Sequence, residues 1–153
     1  MKNLLSVTGI GLVFIYAIGS GIWVNTGDNW YRSLNPPTWQ PPDFIFGVIW
    51  PYNFVVLGIA AYMVSNKLST SKALLYLSLF AISIVCALTW AYQFYRPHNL
   101  FAASMALALV ALLTLPMMFF IYQASVYLFI WVIPYQLWVI TASTLSYQYA
   151  KLN

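Results

Sequence analysis

Four long runs without a charged residue constrain this chain more than any other feature of its sequence. They cover residues 3–27, 44–66, 73–95 and 97–150. A helix needs about 20 apolar residues to cross a bilayer, so each of the first three runs can hold one crossing. The fourth run is long enough for two crossings. The runs therefore predict five membrane-spanning helices joined by short connections.

The composition supports a membrane protein and excludes a soluble domain. Hydrophobic residues make up 63% of the chain and charged residues 5%, whereas a soluble domain carries about 25% charged residues. A β-barrel is the alternative, but it would show segments of about ten residues in which apolar and polar side chains alternate. Residues 9–19, GIGLVFIYAIG, do not alternate. We therefore predict an all-α, multi-pass integral membrane protein.

The predicted architecture is a five-helix bundle that forms one transmembrane domain over residues 1–153. The expected helices lie at about 4–24, 44–65, 73–94, 99–122 and 126–150. The net charge of +4 is read as a determinant of membrane orientation, since Lys and Arg mainly play that role in such proteins. The lipid bilayer is thus an expected partner, and no nucleic-acid-binding module is recognisable.

The stretch from Asp28 to Pro51 joins the first predicted helix to the second, includes the start of the second, and is rich in proline and tryptophan. It contains both acidic residues of the chain, and two Pro-Pro pairs flank residues 38–40. Proline fixes its own φ angle and restricts the residue before it, so the segment should be stiff and mostly extended. We call residues 28–42 the Pro/Trp loop. A stiff aromatic loop beside a membrane predicts a lid.

A row of aromatic residues marks the last predicted helix. Its members recur at spacings of three, four and seven: Trp131, Tyr135, Trp138, Ala142 and Tyr149. Such spacings place side chains on one face of a helix. The row has two interpretations, which are ordinary core packing and a wall of flat rings for a flat ligand.

A second helical pattern consists of small residues. Ser83, Ala87 and Ala91 recur every four residues on the third predicted helix. Small residues at this spacing let two helices approach closely. The face therefore predicts either packing within the bundle or a homodimer interface.

The chain lacks the residues of common catalytic and transport chemistry. No charged residue lies within a predicted span, and the chain has a single histidine, His98, and no glutamate. Acid–base or covalent catalysis and metal binding therefore have no evident residues. His98 is expected to form hydrogen bonds at the membrane interface, with ligation of a haem iron as the alternative. Recognition by aromatic rings, Trp N–H and Tyr O–H groups remains.

Several motifs resemble those of one membrane family, the TspO/MBR family of tryptophan-rich sensory proteins, also called translocator proteins or peripheral benzodiazepine receptors. Residues 30–34 and 37–42, WYRSL and PTWQPP, are similar to the family's loop motif WYxxLxKPxWxPP. Residues 47–50 resemble the start of its second helix, and residues 90–97 the end of its third. Residues 134–145 resemble its motif PYxxWxxFAxxLN. The likeness covers nearly the whole chain.

The resemblance implies a five-helix bundle, often dimeric, with a ligand pocket beneath the Pro/Trp loop. Family members bind porphyrins such as protoporphyrin IX, haem-related tetrapyrroles and, in animals, cholesterol. The implied function is a membrane receptor, carrier or sensor for flat apolar ligands. Carried over by position, the pocket residues are Tyr31, Trp39, Trp50, Trp90, Tyr135, Trp138 and Ala142.

Two alternatives accompany this interpretation. The first is light-dependent degradation of porphyrin, in which Trp50 or Trp138 donates an electron without acid–base machinery. The second is a membrane interaction protein that turns over no ligand.

The chain also departs from the family: Ala87, Ala91 and Ala106 stand where polar residues are common, and Ser146 stands where many members have Asn. These departures predict a pocket with fewer polar groups.

Overall fold

A computed structural model describes all residues of the chain, 1–153, and contains helices and no strands. The helices are α1 (Lys2–Trp23), α2 (Asn29–Ser33), α3 (Asp43–Lys67), α4 (Thr70–Tyr95), α5 (Leu100–Ala124) and α6 (Val126–Leu152). All except α2 are long and apolar enough to cross a membrane. The predicted all-α fold with five membrane-spanning helices is confirmed.

The five long helices form a closed ring. In the order α1, α3, α6, α5, α4, each packs against the next, and α4 returns to α1. Very short connections, two residues between α3 and α4 and one between α5 and α6, require the two helices of each consecutive pair to run antiparallel. The outer faces carry exposed apolar side chains such as Phe14, Val55 and Leu137. A surface of this kind suits contact with lipid chains.

Close contact between α1 and its neighbours depends on glycine. A Cβ atom placed on Gly9 would lie 2.7 Å from the Cβ of Ala61 on α3, and one on Gly19 would lie 2.8 Å from a methyl group of Leu88 on α4. Both distances are shorter than van der Waals contact. The absence of a side chain at these two positions therefore sets how closely α1 sits in the bundle.

The small-residue face of α4 is internal. Ser83, Ala87 and Ala91 are all buried within one chain, since α4 packs against α1, α3 and α5. The predicted homodimer through this face is therefore wrong, and its alternative, packing within the bundle, is what the structure shows. A partner copy would have to displace a neighbouring helix to reach these residues.

The Pro/Trp loop begins with the short helix α2. The carboxylate of Asp28 accepts a hydrogen bond of 2.7 Å from the backbone N–H of Tyr31 and so caps this helix. Asp and Asn are favoured at this position because they satisfy an amide that has no partner within the helix. The cap directs Tyr31 and Arg32 towards the ends of the long helices.

Candidate functional site

A cavity of about 280 Å³ lies under the Pro/Trp loop, at the end of the bundle where α1, α4 and α6 finish and α3 begins. The connection after α1 and helix α2 form one side, and inward-facing residues of the long helices form the rest. The lining consists of Val24, Thr26, Gly27, Tyr31, Arg32, Asp43, Phe46, Trp50, Trp90, Phe94, Tyr95, Trp138, Ala142, Leu145, Ser146 and Tyr149.

The structure brings most of the predicted pocket residues together around this cavity. Those in the lining are Tyr31, Trp50, Trp90, Trp138 and Ala142. Trp39 lies outside it with 44% of its surface exposed, within a turn closed by a 3.0 Å hydrogen bond from Gln40 N to Pro37 O. Tyr135 also lies outside the lining, because it is buried in the core of the bundle.

The residues of the row on α6 lie in three different environments. Trp138, Ala142 and Tyr149 face the cavity, Tyr135 lies one turn deeper in the core, and Trp131 is 60% exposed on the outer surface. At a rise of about 1.5 Å per residue the row extends roughly 27 Å. The cavity occupies only one end of the bundle, so residues of the row that lie further from that end contact the core or the outer surface instead of the cavity.

Aromatic rings make the cavity walls rigid. Trp50 and Trp90 are stacked with 6.4 Å between ring centroids and 23° between planes, and Phe46 meets Trp138 edge to face at 5.2 Å. Phe94 packs against Trp90 at 6.2 Å. Such pairs stabilise their arrangement by about 0.5–1.5 kcal/mol beyond the area that they bury. The rings thus form a preorganised apolar surface.

Three polar groups in these walls have no hydrogen-bond partner in the protein. They are the indole N–H groups of Trp90 and Trp138 and the hydroxyl of Ser146, all inaccessible to solvent. A buried polar group without a partner costs about 1–3 kcal/mol. All three residues line the cavity, so a small movement of their side chains on ligand entry would bring these groups within reach of hydrogen-bond acceptors on a bound molecule.

Charged groups occur only at the loop side of the cavity, where Arg32 and Asp43 contribute to the lining. The guanidinium group of Arg32 is suited to a carboxylate, since it can donate two parallel hydrogen bonds. The deeper walls are apolar apart from the three unpaired groups. The site therefore offers a charged entrance and an aromatic interior.

The Pro/Trp loop is tied to the end of α6. The hydroxyl of Tyr149 donates to the side-chain oxygen of Gln40 and lies 3.4 Å from the hydroxyl of Tyr31. Asn153 accepts a 2.8 Å bond from the backbone N–H of Asn35 and donates a 3.3 Å bond to its carbonyl. These bonds hold the loop over the cavity.

His98 contacts the loop from the opposite side. Its ring stacks on Trp30 with 3.6 Å between centroids and 7° between planes, and its backbone has a φ of 59° in the turn between α4 and α5. It does not line the cavity. No group of three or more His, Cys, Asp or Glu residues is placed to hold a metal ion. The stacking on Trp30 packs His98 against the loop.

The departures from the family motifs affect the cavity less than their chemistry suggests. Ala87, Ala91 and Ala106 are buried, and none of them lines the cavity. Ser146 does line it and supplies one of the unpaired groups. Sequence reasoning also missed Phe46 and Phe94, although each lies four residues from a cavity tryptophan on the same helix face.

Known proteins match this chain over most of its length. The model of the TspO/MBR family matches residues 9–152. Protein CrtK of Rhodobacter capsulatus is 28% identical over 125 residues, which cover 81% of this chain and 78% of that protein.

Two further relatives come from a bacterium and an animal. The tryptophan-rich protein TspO of Bacillus cereus is 29% identical over 124 residues, 81% of this chain and 80% of the relative. The translocator protein of Homo sapiens is 27% identical over 132 residues, 85% of this chain and 78% of the relative. Together with the five-helix fold and the aromatic cavity, these matches show that the chain belongs to the TspO/MBR family.

Proposed function

We propose that this protein is a membrane receptor or carrier that binds a flat, largely apolar tetrapyrrole such as protoporphyrin IX beneath the Pro/Trp loop. The observation that carries the proposal is the set of three unpaired polar groups among the aromatic walls of the cavity interior. Flat rings favour stacking on a conjugated ligand. The indole N–H groups of Trp90 and Trp138 favour a ligand that also has acceptor atoms.

The entrance supports the same ligand class. A tetrapyrrole such as protoporphyrin IX combines a flat conjugated ring with carboxylates at one edge. Arg32 is placed at the loop side, where it can pair with a carboxylate while the ring lies against the tryptophans. Asp43 on the same side limits the excess of positive charge.

The size of the cavity implies that the loop moves when a ligand enters. Pockets for drug-sized ligands usually have volumes of about 300–1,000 Å³, and the cavity of about 280 Å³ is at the lower limit. Lifting the Pro/Trp loop requires the bonds of Tyr149 and Asn153 to break. Ligand binding would then be coupled to the loop, which suits a sensor or a carrier.

The names of the relatives support this class of function. One relative is called a tryptophan-rich sensory protein, and several are called translocator proteins. For the present chain we propose sensing or carriage of the ligand at the membrane.

Titration with protoporphyrin IX, followed by quenching of tryptophan fluorescence in lipid nanodiscs, tests the proposal. Trp138→Phe keeps an aromatic ring but removes the N–H donor, so it should raise the dissociation constant about two- to twelvefold, the equivalent of one hydrogen bond of roughly 0.5–1.5 kcal/mol. Trp39→Phe is the matched control outside the cavity and should bind like the wild type. Equal affinities for all three proteins would overturn the cavity as the site.

A second candidate activity is light-dependent breakdown of the bound porphyrin. The placement of Trp50 and Trp138 in the cavity walls favours it, because an indole can donate an electron to an excited ring, with molecular oxygen as the final oxidant. Illumination of the complex should then give a new absorbing product, and Trp50→Phe should slow its formation. Bleaching at the rate of free porphyrin would exclude this activity.

A further inference from the structure

A second group of unpaired polar side chains lies deeper in the bundle. It consists of Tyr16 on α1, Asn53 on α3 and Tyr135 on α6, which we call the inner polar cluster. All three are almost completely inaccessible to solvent. Both side-chain polar atoms of Asn53 have no hydrogen-bond partner in the protein. The hydroxyls of Tyr16 and Tyr135 lie close to each other, and that of Tyr135 lies close to Ser83, but no well-formed hydrogen bond joins them. None of these residues lines the cavity described above.

Trp50 separates the inner polar cluster from the cavity. Its ring lines the cavity and packs against Tyr16 edge to face, with 6.3 Å between ring centroids and 81° between planes. Asn53 lies one turn below Trp50 on α3, and Tyr135 lies one turn below Trp138 on α6. At about 1.5 Å per residue, each step adds roughly 4.5 Å of depth. The cluster is therefore the next layer of the bundle beneath the cavity floor.

A buried amide side chain on the neighbouring position of α6 does find partners. The side chain of Gln136 donates a 3.0 Å bond to the carbonyl of Ala111 and accepts one from the hydroxyl of Thr114. Burial of a polar group without a hydrogen bond costs about 1–3 kcal/mol. Asn53 leaves two polar atoms unpaired at one position, at a depth where an apolar side chain would avoid this cost.

We propose that the inner polar cluster is a binding site for one neutral hydrogen-bonding oxygen, such as a ligand carbonyl or hydroxyl that passes below Trp50, or a water molecule that the ligand oxygen displaces. This inference deepens the proposed function, on which it rests. Asn53 offers a donor and an acceptor, and each tyrosine hydroxyl can act as either. No charged side chain belongs to the cluster, so a neutral group suits it better than an ion.

A matched pair of flat probes, fluorenone and fluorene, tests the proposal with the full chain in lipid nanodiscs. The two probes differ in one carbonyl group. We expect the wild type to bind fluorenone more tightly than fluorene and to lower the infrared stretching frequency of its carbonyl. Asn53→Leu should reduce the preference for fluorenone about two- to twelvefold, the equivalent of one hydrogen bond, and should restore the carbonyl frequency found in lipid. Ser65→Ala is the control, because Ser65 is also buried and unpaired but lies three turns further along α3.

Further variants distinguish the inner polar cluster from the cavity walls. Tyr16→Phe and Tyr135→Phe remove only a hydroxyl, so they keep the packing of the bundle and should each weaken the carbonyl shift even if Asn53→Leu folds poorly. Trp138→Phe should leave the shift in place. If Trp138→Phe abolishes the shift of the carbonyl frequency and the cluster variants retain it, the carbonyl binds in the cavity. This result would overturn the inner site.

The outcome with protoporphyrin IX separates this inference from the proposed function. Porphyrin binding that depends on Trp138, with no preference for fluorenone over fluorene, would overturn the inner site alone.

Transfer of NMR magnetisation from water to the side-chain amide of Asn53 identifies the source of the oxygen. We expect this transfer in the free protein and its loss when fluorenone binds. A transfer that fluorenone leaves unchanged would contradict displacement of water by the ligand.

Discussion

Removing the hydroxyl of Tyr149 tests whether the Pro/Trp loop is held over the cavity by its bond to α6. Tyr149→Phe keeps the ring but removes the bond to Gln40 and the 3.4 Å contact with the hydroxyl of Tyr31. One hydrogen bond of this kind contributes roughly 0.5–1.5 kcal/mol net. The equilibrium constant for opening the loop should therefore rise about two- to twelvefold.

Hydrogen exchange of the backbone amides in residues 29–40 measures this opening, because exchange of protected amides follows the local opening equilibrium. The amides of Tyr31 and Gln40 are hydrogen-bonded in the closed loop, so their exchange should accelerate by the same factor. Tyr147→Phe is the control, since Tyr147 is an exposed residue of the same helix. Unchanged exchange in Tyr149→Phe, or equal acceleration in both variants, would show that the hydroxyl of Tyr149 does not hold the loop closed.

Two further predictions concern the loop and the bundle. Asp28→Ala removes the cap on the amide of Tyr31 and should destabilise α2 by about 1 kcal/mol, seen as faster exchange of that amide and of the Arg32 and Leu34 amides, which are also hydrogen-bonded in α2; slower or unchanged exchange would contradict the cap. Gly9→Ala places a Cβ atom 2.7 Å from that of Ala61 and should lower the Tm through overpacking of about 1–3 kcal/mol. Gly11→Ala, which meets nothing within 4 Å, should leave the Tm unchanged or raise it, and equal Tm values for both variants would contradict the close contact.

The membrane fold follows from the sequence because a single physical requirement dominates it. A helix that crosses a bilayer cannot easily carry charge, so uncharged runs locate the crossings with little interference from tertiary contacts. The ends of the helices are harder to predict: Lys67 and Lys72 lie outside the predicted helices 44–65 and 73–94, but in the structure they belong to α3 and α4. Polar residues at the membrane surface are compatible with either conformation.

The candidate site can be predicted only partly from sequence. Helical periodicity shows which residues share a face of a helix, but it does not show how far along the bundle the cavity extends. The row on α6 predicted one wall, yet Tyr135 lies in the core and Trp131 on the outer surface. For the same reason the pattern of Ser83, Ala87 and Ala91 could not distinguish an internal face from an external one. Which side chains lack hydrogen-bond partners depends on all five helices and requires coordinates.

The measurement that tests the central claim most directly is the NMR signal of each indole N–H group during titration with protoporphyrin IX. We predict that the signals of Trp90 and Trp138, whose indole N–H groups have no partner in the cavity walls, undergo the largest changes. Trp39 and Trp131, which are exposed outside the cavity, should keep their free-state signals. Large changes at Trp39 or Trp131, with Trp90 and Trp138 unaffected, would contradict binding in the cavity.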